Sequence, residues 1–125
     1  MIIGIGTDII EIKRIENAVH RNPKFLDRIF TDKEINYFKL RKFNPQNIAG
    51  NFAAKEAISK ALGIGIAGIR WKDIEIIRKT NGAPLVMLYD KALQYSDDKG
   101  IHIINISISH SQEYAIAFAV AESQS

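Results

Sequence analysis

Cysteine is absent from the 125 residues. That excludes disulfides, thiol nucleophiles and thiolate metal sites, and it fits a reducing compartment. Long apolar runs are missing as well. No stretch approaches the roughly 18 residues of a membrane span. The opening Met1–Ile10 is apolar but short, has no basic stretch before it and is interrupted by Asp8. It therefore does not read as a secretory signal, and a soluble, cytoplasmic protein without a membrane partner is expected. Repeats, low-complexity tracts and linkers are also lacking. What remains is 46% hydrophobic and 25% charged, enough for a core in one domain over residues 1–125. Disorder is expected only at the Ser/Gln-rich end. The net charge of +3 favours acidic or phosphorylated partners, although a solvated surface with a few extra lysines explains it equally.

Ile2 to Ile10 alternates as a strand, with Ile3, Ile5, Thr7 and Ile9 on one face and Gly4, Gly6 and Asp8 on the other. The two glycines clear space beside Asp8. From Ile10 to Arg21 the period turns helical through Ile12, Ile15 and Val19, and Asn22-Pro23 breaks it. Thr31 and Glu34 form a capping box for a second helix, to which Ile35, Phe38 and Leu40 bring apolar contact. Asn44-Pro45 opens a third helix to about Leu62, closed by Gly63 and Gly65. Asp73–Lys79 and Leu85–Tyr89 flank Asn81-Gly82 as a hairpin. A short helix to Lys99 and a last antiparallel pair, Ile103–Ser109 with Tyr114–Ala121, follow. The row Ala115, Ala117, Ala119, Ala121 lets a helix or another subunit approach, and the alanine-bearing helix 45–62 is the obvious candidate. The fold class is α+β, an antiparallel sheet packed against a long central helix.

Four groups carry possible chemistry. Gly4-Ile5-Gly6-Thr7-Asp8 lacks the third glycine of a dinucleotide fingerprint. Asp8 is either a turn carboxylate capping the next helix or a ligand for a hard cation such as Mg²⁺, which takes one or two protein carboxylates. On the third helix Glu56 and Lys60 are i,i+4 neighbours, which a surface ion pair would explain. Glu56, however, shares its face with Ala49, Phe52 and Ala53, so it could approach Asp8. Two carboxylates converging this way would repel without a cation. Ser107-Ile108-Ser109-His110-Ser111 offers a lone histidine and no hydrolase elbow. Lys13, Arg14, Arg21, Lys24 and Arg28 surround Phe25, either as a solvated face or as a docking strip for an acidic partner with Phe25 as an exposed anchor.

Together these segments resemble the holo-(acyl-carrier-protein) synthase type of 4'-phosphopantetheinyl transferase. The resemblance lies in Ile3–Glu16, Phe30–Glu34, Phe52–Gly63, Asn81–Pro84, Ser107–Ser111 and the alternating alanines of the closing strand. It spans essentially the whole chain, and Phe52–Gly63 is its most specific stretch. It implies that a serine of an apo acyl carrier protein attacks the β-phosphorus of coenzyme A, and adenosine 3',5'-bisphosphate leaves, in the service of fatty acid biosynthesis. It implies Mg²⁺ on Asp8 and Glu56, with Lys60 at the leaving phosphate. It also implies coenzyme contacts from Asn81, Gly82, Pro84 and His110, carrier contacts from Arg14, Arg21, Phe25 and Arg28, and a homotrimer with clefts between subunits. One departure stands out: Asn51 occupies a position where the family usually has arginine. Lys55, or a lysine of a neighbouring subunit, is the expected substitute for that cation; the alternative is a lower affinity for the coenzyme.

The rival readings predict other behaviour. A basic nucleic-acid-binding module would bind without magnesium and with steep salt dependence, and no nucleic-acid motif supports it. A nucleotide pyrophosphatase would need no carrier protein. A structural oligomer would use Asp8 and Glu56 only in ion pairs.

Overall fold

The period-2 pattern at both ends of the chain produces strands that meet. The computed structural model describes residues 1–124. Its strands are β1 (Ile2–Glu11), β2 (Ile74–Arg78), β3 (Pro84–Leu88), β4 (Ile101–His110) and β5 (Tyr114–Ser123); its helices are α1 (Ile12–Arg21), α2 (Phe25–Ile29), α3 (Asp32–Leu40), α4 (Pro45–Ala61) and α5 (Asp90–Asp98). The closing strand β5 lies between β1 and β4 in an antiparallel three-stranded sheet, and β2 with β3 forms a separate hairpin. β5 runs to Ser123, so the expected disordered end is partly strand, and Ser125 lies outside the described residues.

Helix α4 starts where the sequence says it should. The Asn44 side chain accepts a hydrogen bond from the Gln46 amide at 2.9 Å, and Pro45 occupies the first turn, where its missing N–H costs nothing. The helix is apolar or small on most sides, the signature of a buried element. It lies across the face of the sheet formed by Gly4, Gly6 and Asp8 and by Ala115, Ala117, Ala119 and Ala121. All four alanines are at most 1% exposed. The contact is backbone to backbone. A Cβ on Gly6 would fall 1.9 Å from the Ala57 carbonyl oxygen, and one on Gly4 would fall 2.0 Å from that of Ala61. The glycines therefore let Asp8 reach α4 at short range.

Some expectations need correction. Leu40 is 83% exposed and contributes nothing to the core, because α3 ends at it. The turn after Pro23 is a short helix, α2, whose five residues are too few for periodicity to reveal. The Thr31–Glu34 capping box is present, but Glu34 does more than cap. It is fully buried, accepts from Thr31 N at 2.9 Å and from Ile76 N at 3.0 Å, and pairs with Lys55 at 2.8 Å. This hub pins α3, α4 and β2 together.

Candidate active site

Strand β1 and helix α4 bring Asp8 and Glu56 to one cleft of about 320 Å³, which Arg14, Phe25 and Phe52 also line. A larger groove of about 720 Å³, beside Glu11 and Tyr114, contains neither carboxylate. Asp8 sits at mid-strand, paired in register with Ala117, which excludes the turn-cap reading. Lys60 does not form the i,i+4 pair with Glu56. Its ammonium donates to the Thr7 carbonyl at 2.9 Å and lies 3.5 Å from Asp8 Oδ1. Among the described residues Glu56 has no cation within 4.0 Å.

The electrostatics follow from that placement. Burial pushes the Asp8 carboxyl above its usual range, and Lys60 offsets part of the shift. Burial also raises Glu56, the charge of Asp8 raises it further, and Lys60 opposes both. The two carboxylates therefore repel across a partly dry cleft, and a positive charge between them would relieve the repulsion. Among the described residues no group of three or more acidic or histidine side chains is placed to hold a metal ion. A pair suffices for Mg²⁺, which keeps water and substrate phosphate as its other ligands. The oxygen-only donor set fits that ion.

The other residues singled out in the sequence fall elsewhere. Arg14, Arg21 and Arg28 are exposed and, among the described residues, have no carboxylate within 4.0 Å. Phe25 is half-buried rather than an exposed anchor. It stacks on Phe52 at 6.2 Å, and Phe52 stacks on Trp71 at 4.9 Å. Phe52 thus lines the cleft, a role its place in the α4 motif could have suggested. Asn81 and Gly82 form an exposed turn with Gly82 at φ 87°, and Pro84 opens β3. His110 ends β4, exposed, two strands from Asp8 in the sheet. None of these four lines the cleft within one chain.

Lys55 departs most from expectation. It is wholly buried, with its ammonium bonded to Glu34 at 2.8 Å, to the Trp71 carbonyl at 3.1 Å and to the Ile74 carbonyl. All three donors are used inside the core, so it does not substitute for a coenzyme-facing cation at position 51. Its hydrophobic neighbours in sequence gave no hint of this. The partners come from α3, from β2 and from the turn before β2, more than 15 residues away on either side.

A strand carboxylate and a helix carboxylate thus meet in a small aromatic-walled cleft, with a lysine beside the first. The chain belongs to the 4'-phosphopantetheinyl transferase superfamily, whose family model matches residues 4–119. Within that superfamily it matches the holo-[acyl-carrier-protein] synthases. It is 57% identical to the one from Clostridium botulinum (strain Eklund 17B / Type B) over 122 residues, 98% of each chain. The structure superposes on the Helicobacter pylori enzyme, solved in complex with coenzyme A, with a TM-score of 0.83 at 41% identity, covering 94% of this chain and 99% of that one. It superposes on the Plasmodium yoelii enzyme with a TM-score of 0.87 at 35% identity, covering 100% and 98%. The α+β architecture with its long central helix is the fold of these enzymes.

Proposed function

We propose that this chain, acting as one domain, transfers the 4'-phosphopantetheine group from coenzyme A to a serine of apo acyl carrier protein. Adenosine 3',5'-bisphosphate is released, and the product serves fatty acid biosynthesis in the cytoplasm. The observation that carries the reading is the meeting of Asp8 and Glu56 in one cleft, with Lys60 at its edge. Membership of the family supports it, as does a relative solved with coenzyme A.

In this reading Asp8 and Glu56 hold Mg²⁺. The ion supplies charge neutralisation and alignment for an in-line displacement at phosphorus. Lys60, held at the Thr7 carbonyl and Asp8, places its ammonium toward the leaving phosphate and neutralises the charge that develops there. Glu56 also accepts the serine proton, through water. Arg14, Arg21 and Arg28, which have no acidic partner within 4.0 Å among the described residues, meet the acidic face of the carrier, and Phe25 and Phe52 provide the apolar floor. Asn81, Gly82, Pro84 and His110 contact the coenzyme from a second subunit.

That last assignment needs an oligomer, and the sheet offers the surface for one. The face of β1 and β5 turned away from α4 carries Ile5, Ile9, Ile116 and Phe118, each more than 40% exposed. Four large apolar side chains on one sheet face support an interface there, and a homotrimer of this chain is the proposed occupant. Phe118→Glu is expected to give monomer by light scattering and to lose transfer, because it places a charge in that interface. A variant that remains the size of the wild type would remove this face from consideration.

The direct test weighs an apo carrier protein after incubation with the chain, coenzyme A and Mg²⁺. A gain of one phosphopantetheine, about 340 Da by formula, is expected, and a chelator is expected to abolish it. Unmodified carrier with folded protein and excess Mg²⁺ would overturn the reading.

A further inference from the structure

The place of Asn51 is not empty of charge. Arg78, the last residue of β2, donates from Nη2 to the Asn51 side-chain oxygen at 2.7 Å. Its guanidinium also lies 5.2 Å from the centre of the Tyr37 ring. Arg41, just past the end of α3, lies 5.1 Å from the centre of the same ring. Two permanent positive charges thus gather on one tyrosine, and neither has a carboxylate within 4.0 Å among the described residues. The donors are unfinished as well. Asn51 is 1% exposed, and among the described residues its amide nitrogen has no acceptor; Arg78 Nε is also buried without one there.

Buried donors without acceptors are costly and uncommon, and two guanidiniums against one ring leave the surroundings of Arg78 positive. One anion would answer both. Guanidinium forks match phosphate oxygens, and a pair of them matches a doubly charged phosphate monoester better than a singly charged diester. The location agrees: Arg78 is the register partner of Pro84, on the hairpin whose Asn81-Gly82 turn the transferase reading gives to the coenzyme. Coenzyme A carries a single phosphate monoester, on the ribose of its nucleotide end.

Resting on that transferase reading, we propose that Arg78 is the coenzyme-binding cation of this chain. Oriented by Asn51 and Tyr37 and assisted by Arg41, it holds the ribose phosphate monoester. The charge that helix α4 lacks at position 51 is brought to the same spot from β2. Lys55, whose ammonium is spent in the core, has no part in it.

The test titrates coenzyme A and 3'-dephospho-coenzyme A into the full-length protein with Mg²⁺ by calorimetry. Arg78→Met is expected to weaken coenzyme A by about 10-fold or more, the scale of a charge-assisted contact, while changing the dephospho form by less than about two-fold. Arg41→Gln, at an exposed residue, is expected to show the same selectivity at smaller size, and it decides the matter if Arg78→Met does not fold. Equal weakening of both coenzymes, or of neither, overturns the assignment of Arg78. Wild-type protein that binds neither coenzyme and modifies no carrier overturns the transferase reading and this assignment together. Wild-type transfer with unselective variants overturns this assignment alone.

Discussion

Glu56→Gln is expected to lower phosphopantetheine transfer by roughly 10²-fold or more while raising the melting temperature of the metal-free protein. The loss follows from the proposed ligand set. A metal ion in such a site is worth several kcal/mol of transition-state stabilisation, and each 1.36 kcal/mol is about tenfold in rate. The gain in stability follows from the electrostatics. Glu56 is raised above its ordinary pKa by burial and by Asp8, so its charged form is disfavoured more in the fold than in the unfolded chain. That penalty is absent when the group is protonated in both states. It grows as pH rises from the ordinary glutamate pKa through the raised one, and it is fully present at neutral pH. A neutral amide of the same shape removes it. In the proposed site Mg²⁺ would relieve the same repulsion, so added Mg²⁺ is expected to raise the wild-type melting temperature and to leave that of Glu56→Gln nearly unchanged. A variant that melts lower than wild type without metal and is still protected by Mg²⁺ would show that Glu56 is not a metal-facing carboxylate.

The opposed signs matter because a structural ion pair predicts the reverse. Had Glu56 been paired with Lys60, as its spacing allows, neutralising it would cost a little stability and no activity. Lys60 instead turns to Thr7 and Asp8, leaving Glu56 without a cation within 4.0 Å among the described residues.

Local chemistry made much of this molecule legible in advance. Alternation placed Asp8 on the same strand face as Gly4 and Gly6, and the alanine row predicted where α4 would lie. Close backbone approach needs small residues on both partners, and small residues are visible in sequence. The capping residues Asn44 and Thr31 fixed two helix starts for the same reason: a cap is a short-range hydrogen bond. Partnership over long separations was not legible. Lys55 reads as one more charge in a helix, and only the fold shows that Glu34, Trp71 and Ile74 enclose it. Arg78 reads as a basic residue at a hairpin end, and only the β2 register sets it against Asn51. Phe25 looked like an exposed anchor because its neighbours in sequence are charged, whereas its stacking partner, Phe52, lies on another helix.

Lys55→Met is the sharpest probe of that hidden partnership. Removing one member of a buried ion pair typically costs about 3–5 kcal/mol, because the remaining charge stays desolvated and unanswered. Here the loss also strips hydrogen bonds from the Trp71 and Ile74 carbonyls and leaves Glu34 with only its two backbone donors. Against a total stability on the order of 5–15 kcal/mol, a fall of roughly 10–20 °C in melting temperature is expected. Pairing it with Glu34→Gln is expected to recover a substantial part of the loss, since the uncompensated carboxylate is then gone, and the non-additivity measures the coupling. Burial lowers the Lys55 pKa, with Glu34 opposing the shift, so the pair is held by geometry against desolvation rather than by free attraction. The kinetic readout separates the two roles Lys55 could have. A core residue leaves the coenzyme KM of the folded protein within about two-fold of wild type, whereas a phosphate ligand raises it about tenfold with little change in melting temperature. The first pattern is expected, because an ammonium with three protein acceptors and no exposed surface has nothing left with which to bind a coenzyme.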